Sequence, residues 1–219
     1  MIEKHLTYYV AKQDISIKPG LQSLFYAEGD SEVLFLEKTL EVLRADPTRN
    51  ATVCFAGLAN LTAKVQLPAK HKNFSQIQSF GMMLDAEGDL AARQQSIQAA
   101  AKSLGFPNLP PSGQVQQGTK KFGAFISPGK NKGGAIEDLI LGEISTKPIW
   151  SCIADFVKCS RNLGLPLNSK SITQIYISVM ASTTAPRLCG VGRAFEAGIL
   201  DPAANCYQDV RQLVQQLIS

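Results

Sequence analysis

Four apolar runs alternate with amphipathic stretches over the first two thirds of the chain. Residues 24–27 (LFYA) are wholly apolar and lead straight into Glu28, Gly29 and Asp30, as a buried strand of a parallel sheet does. Behind them Val33, Leu36, Leu40 and Leu43 recur at helical spacing, with Asp30 or Ser31 as the expected N-cap and Pro47 beyond the end. Residues 51–57 (ATVCFAG) predict a second strand, and 58–74 a helix that Pro68 must end or interrupt. A third strand falls within 77–89 (IQSFGMMLDAEGD) and again closes on acid. The Ala- and Gln-rich stretch 90–106 follows as a helix that Gly105 and Pro107 stop. Residues 107–120, rich in Pro, Gly and Gln, read as an exposed, mobile loop. Residues 121–129 (KFGAFISPG) predict a fourth strand, and a glycine-rich turn then leads to a short helix at AIEDLIL. Before all of these, residues 6–10 suit an edge strand and Lys18-Pro19-Gly20 a turn.

After residue 147 the pattern turns helical. Residues 149–164, 171–182 and 206–219 each predict a helix, and in the last Tyr207, Val210, Leu213, Val214, Leu217 and Ile218 form one apolar stripe. The stretch GVGRA at 190–194 is too loose for a dinucleotide fingerprint and reads as a turn. The alternation of strand and helix predicts an α/β fold, a mostly parallel sheet with helices on both faces. Residues 1–147 would form this core and 148–219 a helical C-terminal part packed on it. Right-handed crossovers then place every strand C-terminus on one edge, where ligands bind in such sheets.

Two of these strands deliver carboxylates to that edge: Glu28 from the first, and Asp85, Glu87 and Asp89 from the third. One acidic turn is readily a cap or an Asx turn. Two on the same edge repel each other unless a cation holds them, and hard oxygen donors of this kind suit Mg²⁺ or Mn²⁺.

The same residues carry a family resemblance. YAEGD at 26–30 and LDAEGD at 84–89 resemble the two signatures of the TOPRIM domain, a Glu-Gly after its first strand and an Asp-x-Asp after its third. FISP at 125–128, GAIEDLIL at 134–141, the Cys152–Phe156 stretch and the Lys170 segment extend the likeness. They are most similar to an uncharacterised TOPRIM-like family related to the overcoming-lysogenization-defect nucleases. The resemblance covers the chain from about residue 20 and implies a TOPRIM/Rossmann-like fold. It also implies that Glu28 acts as general acid or base, and that Asp85 and Glu87 hold Mg²⁺ or Mn²⁺. Glu87 stands where the family has Asp; its extra methylene shifts the metal or inserts a water, and Asp89 is a substitute ligand. Glu137 is a further metal ligand by the same likeness, or else, with Asp138, an acid complementing a helix N-terminus. Lys170 matches a lysine of that family and would neutralise a phosphate; the alternative is a surface lysine. Lys130 and Lys132, in SPGKNKGG at 127–134, lie in a basic, glycine-rich turn that is not a Walker A loop; they would meet a phosphate at a helix N-terminus, or else the segment is a solvated turn.

Composition narrows the function further. The share of hydrophobic residues is 45% and of charged residues 18%, ordinary for a packed core. The net charge of +4 permits a polyanionic partner without requiring one. Five cysteines without C-x-x-C spacing fit free thiols in a reducing cytosol, not a zinc site. The first twelve residues lack the apolar core of a secretory signal and no long apolar span occurs, so a cytoplasmic protein away from the membrane is expected. Two histidines remote from any motif leave no nucleophilic triad. The aromatic residues Trp150, Phe156 and Tyr176 are expected in the core. The expected function is metal-dependent phosphodiester or phosphoryl-transfer chemistry on DNA or RNA, alone or with a separate ATPase chain. The alternatives are a non-catalytic nucleic-acid or nucleotide-binding module and a scaffold for a partner; the sequence leaves a homo-oligomer open.

Overall fold

The computed structural model describes residues 6–9, 17–59, 61–129, 132–184 and 190–219. Five parallel strands form the sheet: β1 (Leu6–Tyr9), β2 (Ser23–Ala27), β3 (Asn50–Cys54), β4 (Ser79–Asp85) and β6 (Lys121–Ser127). A two-residue strand, β5 (Val115–Gln116), adds antiparallel to β6. The order across the sheet is β1-β3-β2-β4-β6-β5. The chain therefore steps one way from β2 to β3, then crosses back over β2 to reach β4. That reversal opens a crevice between the C-terminal ends of β2 and β4, where doubly wound sheets bind ligands.

Strand alternation divides the apolar side chains between two layers. Leu24, Tyr26, Phe80, Met82 and Leu84 face α2 (Leu61–Val65) and α3 (Leu90–Ser103). Phe25, Ala27, Met83 and Phe125 face the other helices. These are α1 (Asp30–Val42), α4 (Ile136–Ile144), α5 (Trp150–Asn162), α6 (Ser169–Thr184), α7 (Val191–Glu196) and α8 (Gln208–Ile218). This is the α/β class expected from the sequence, with helices on both faces and a helical C-terminal third.

The helix α8 buries its apolar stripe over the middle of the sheet. It can approach because two strand positions lack side chains: a Cβ on Gly81 would lie 2.5 Å from Phe25, and one on Gly123 would lie 2.6 Å from Leu213. One buried carboxylate fixes the approach to α8. Glu143, on α4, accepts from the Tyr207 hydroxyl at 3.0 Å, the Asp201 amide at 3.1 Å and Lys147 at 3.1 Å. Its oxygens are thus satisfied, as a buried charge requires.

Several expectations are corrected. Among the described residues from 58 to 76 the helical stretch is the five-residue α2 followed by two 3₁₀ turns, Pro68–Lys70 and Lys72–Gln76, since Pro68 begins a turn instead of continuing a helix. The loop 107–120 contains β5, which closes the sheet edge. Residues 190–194 begin α7, whose Val191, Ala194 and Phe195 are buried; the glycines hid a three-residue apolar face. The N-cap of α1 is Gly29, one residue ahead of the expected pair. Phe156 is 54% exposed although Tyr176 is buried.

Candidate functional site

The chain folds its two acidic turns onto the β2/β4 crevice. Ala27 lies beside Met83 in the register, and Asp85 beside Ser127. Glu28 and Asp85 therefore leave neighbouring strands at nearly the same height. They point to opposite faces, because Glu28 continues the Leu24–Tyr26 alternation and Asp85 the Met83–Phe125 layer. The site thus straddles the end of the sheet.

On the α1/α4 side, Asp85 Oδ1 accepts the Ile136 amide at 2.9 Å, at the N-terminus of α4. Burial, then the charges of Glu32 and Glu137, push the Asp85 carboxyl up to about 8; the Ile136 hydrogen bond opposes this and Glu28 adds a smaller push. Glu32 is 7% exposed. Its Oε2 accepts the Gly29 amide at 2.9 Å, the reach-back of a capping box. Burial raises its pKa, against those backbone bonds and with help from Glu28 and Glu137. Beside this group the Ser127 hydroxyl is fully buried and unpartnered.

On the α2/α3 side, Glu28 meets one cation and feels the charge of a second. Arg93, in the first turns of α3, lies 3.8 Å from Glu28 and also pairs with Glu87. Lys64, from α2, bonds the carbonyls of Ala56 and Gly57 at 3.1 and 2.8 Å, and the Gly57 amide donates to the Glu28 carbonyl at 3.1 Å. Burial raises the Glu28 pKa, Arg93 pulls it down, and Glu87 pushes it up again. Glu28 Oε2 is buried without a hydrogen-bond partner.

Of the remaining expected residues, Glu87 and Glu137 lie beside this site, and the others serve as helix caps or lie on the surface. Glu87 takes a left-handed backbone, φ 48°, uncommon for a residue with a side chain. Two backbone bonds to Gly134, at 2.7 and 3.0 Å, hold it there. A Cβ on Gly133 would lie 2.9 Å from the Glu87 carbonyl, and one on Gly134 2.5 Å from Asp138. The paired glycines therefore clamp the acidic turn, a packing role that their sequence alone did not reveal. The Glu87 side chain is 63% exposed and engaged by Arg93, not directed at Asp85. Asp89 is exposed and caps α3 through the Ala92 amide at 2.9 Å. Asp138 caps α4 through the Ala135 amide at 2.8 Å and accepts from Ser169. Glu137 is half-buried and close enough to Asp85 and Glu32 to act on both. Lys132 is exposed in a surface pocket of about 590 Å³ that Asp138 and Asp209 share. Lys170 is exposed and lines a groove along α6 with Asn168 and Gln174; among the described residues no ion pair joins it to Glu28 or Asp85. Lys130 lies outside the described residues.

Three site residues escaped the sequence reading: Glu32, Arg93 and Lys64. For Glu32 a signal existed, since Gly29-x-x-Glu32 has the spacing of a capping box. For Arg93 and Lys64 none did, because a lone cation in a helical stretch resembles any surface residue.

Among the described residues no group of three His, Cys, Asp or Glu side chains is arranged to hold a metal ion as placed. In donor chemistry the site fits a hard divalent cation: buried carboxylates raise one another's pKa, and Glu28 Oε2 lacks a partner. The four described cysteines, Cys54, Cys152, Cys159 and Cys206, are free thiols. Among the described residues no helix is long and apolar enough to cross a membrane.

No curated protein matches the chain. Among solved structures it is similar to the C-terminal region of the Burkholderia pseudomallei OLD protein, with TM-score 0.45 and 12% identity over 91% of this chain and 99% of that one. It is likewise similar to the C-terminal region of the Xanthomonas campestris pv. campestris OLD protein, with TM-score 0.46 and 13% identity over 92% and 97%. Residues 22–219 match the model of the family described as "Protein of unknown function (DUF3226)", and the chain belongs to that family.

Proposed function

We propose that the chain binds Mg²⁺ or Mn²⁺ at Asp85 and uses it in phosphodiester or phosphoryl-transfer chemistry on nucleic acid. The observation that carries this reading is the Asp85 carboxyl. It is held among Glu32, Glu137 and Glu28 at the sheet's switch point, with burial and like charge forcing its pKa to about 8. Carboxylates so placed weaken a fold unless a cation offsets them. Glu32 and Glu137 are better placed than Glu87 and Asp89 to share the ion with Asp85. The ligands would gather around it, with water completing the shell.

When bound, the cation would polarise a phosphoryl oxygen and offset developing charge. Glu28 would hold or move the proton of the attacking or departing oxygen, a task suited to a carboxyl with a raised pKa. Arg93, beside it, would present a second positive charge to the phosphate. Lys132 and Lys170 would contribute at the periphery, along the track of the polyanion.

A non-catalytic binding module is favoured by one observation: Glu87, in the place of the expected second aspartate, is occupied by Arg93. Calorimetry with Mn²⁺ and Mg²⁺ on the wild type and Asp85→Asn tests the metal site, and a nuclease screen with Mn²⁺ on DNA and RNA separates the two readings. Metal binding lost in Asp85→Asn, with cleavage lost in Glu28→Gln, supports the enzyme. Metal binding with salt-dependent retention of uncut nucleic acid supports the module. No binding by the folded wild type refutes both metal-dependent readings.

A further inference from the structure

Among the described residues four buried side-chain oxygens lack a hydrogen-bond partner: Glu28 Oε2, Gln116 Oε1, Ser127 Oγ and Thr173 Oγ1. Buried polar groups are bonded as a rule, so each such atom calls for a physical reason. Gln116 and Thr173 belong to β5 and α6, whereas Glu28 and Ser127 stand at the C-terminal ends of β2 and β6. Ser127 is in register with Asp85 on the neighbouring strand. Its carbonyl accepts the Ala86 amide at 2.9 Å, which holds the two strand ends together. Like Asp85, it continues the alternation of the layer that contains Met83 and Phe125, so both side chains leave the sheet on the α1/α4 side. The Ser127 side chain is fully buried there. Other buried hydroxyls have partners within the protein: Thr39 donates to the Phe35 carbonyl at 2.8 Å and Thr52 to Glu37 at 3.1 Å. The Asp85 carboxyl takes the Ile136 amide as its donor, not the Ser127 hydroxyl.

We infer that Ser127 Oγ is a neutral oxygen ligand of the divalent cation bound at Asp85, an assignment that rests on the metal-dependent reading above. Reach allows it. Neighbouring strands lie about 4.8 Å apart, and two oxygens that share one Mg²⁺ lie about 4 Å apart at most, so side chains in register are within reach of a common ion. Charge favours it. Asp85 already feels Glu32, Glu137 and Glu28, and a further carboxylate would add repulsion that one divalent ion does not offset. A hydroxyl adds an oxygen to the shell and no charge. Hard cations accept such donors beside carboxylates and water. The same assignment gives the lone hydroxyl its partner: the lone pair that meets nothing in the protein meets the ion.

Mn²⁺ calorimetry on the wild type, Ser127→Ala and Asp85→Asn tests it, with circular dichroism as a check that each folds and urea unfolding in chelator as a second readout. Ser127→Ala should bind Mn²⁺ at least about tenfold more weakly than the wild type. Without metal it should be as stable as the wild type or more so, since the substitution removes an unpaired buried hydroxyl and keeps most of the volume. A hydroxyl with a merely structural task would behave otherwise: its loss would lower the stability of the metal-free protein, and that result would overturn the inference. Equal Mn²⁺ affinity in Ser127→Ala and the wild type, with binding lost in Asp85→Asn, would overturn it as well and leave the metal site standing. A folded wild type that takes up no Mn²⁺ would overturn both the inference and the reading on which it rests.

Discussion

Removing the charge of Asp85 should stabilise the metal-free protein, and the gain should depend on pH in a defined way. In the folded chain the Asp85 carboxyl keeps its proton up to about pH 8, against an ordinary value of 3.8. Between those values the folded state binds more protons than the unfolded state, so stability falls as pH rises through the window. A displacement of about four pH units corresponds to at most about 5 kcal/mol at pH 8. Asp85 is only partly enclosed, and water entry at the crevice reduces this to about 2 kcal/mol. Asp85→Asn keeps the shape and an oxygen to accept the Ile136 amide, but carries no charge beside Glu32 and Glu137. Urea unfolding of both proteins with chelator present, at pH 4 and pH 8, measures the difference. Asp85→Asn should match the wild type at pH 4 and exceed it by about 2 kcal/mol at pH 8, a rise in Tm of roughly 4–8 °C at this chain length. Added Mn²⁺ should reverse the order by binding only the wild type. A variant no more stable at pH 8 than at pH 4, relative to wild type, would refute the argument that burial and like charge strain this carboxyl.

Metal uptake at pH 7 should release close to one proton, because Asp85 must ionise to bind, and the affinity should rise with pH until about 8; calorimetry in two buffers of different ionisation enthalpy reads this directly. Glu143→Ala should cost about 3 kcal/mol, since it leaves the Tyr207 hydroxyl and the Asp201 amide without acceptors in a buried site, and denaturant titration checks it. Gly123→Val should lower stability by about 1–3 kcal/mol by pressing on Leu213 and lifting α8 from the sheet, with exchange of the α8 amides as the local readout. Gly134→Ala should release the Glu87 turn, since its Cβ would meet Asp138 and its φ of 141° disfavours a side chain; lost protection of the Glu87 amide in hydrogen exchange would register this.

The sheet was legible because its strands are buried on both faces. LFYA, ATVC, FGMMLD and KFGAFIS carry their apolar runs openly, and the acids that end them announce the edge where the site lies. What escaped was set by tertiary contact. The apolar face of α7 is three residues long and hidden among glycines. The pairing of β5 depends on β6, not on its own Val-Gln. At the site, Glu28 and Asp85 could be read from their position after strands, whereas Glu32 becomes a site residue only when α1 turns its first coil under the crevice. Arg93 becomes one only when α3 begins directly above Glu28. Glu87 and Asp89 show the reverse case: the D-x-E-x-D spacing is conspicuous, yet the left-handed turn at Glu87 sends these two side chains to an arginine and a helix cap.

The crossing of the chain over β2 has a kinetic consequence. Ser23 pairs with Ser79, so the β2–β4 contact that creates the crevice closes a separation of 79 − 23 = 56 residues. Parallel pairings at such separation are slow to form, because the loop's entropy is lost before any contact rewards it. Glu28 and Asp85 are therefore far apart until the sheet orders, and their repulsion acts from that point through to the folded state. A cation present during refolding would meet both carboxylates only once β2 and β4 have paired. The folding limb of a chevron measured with and without Mn²⁺ would reveal on which side of the barrier the two strands first meet.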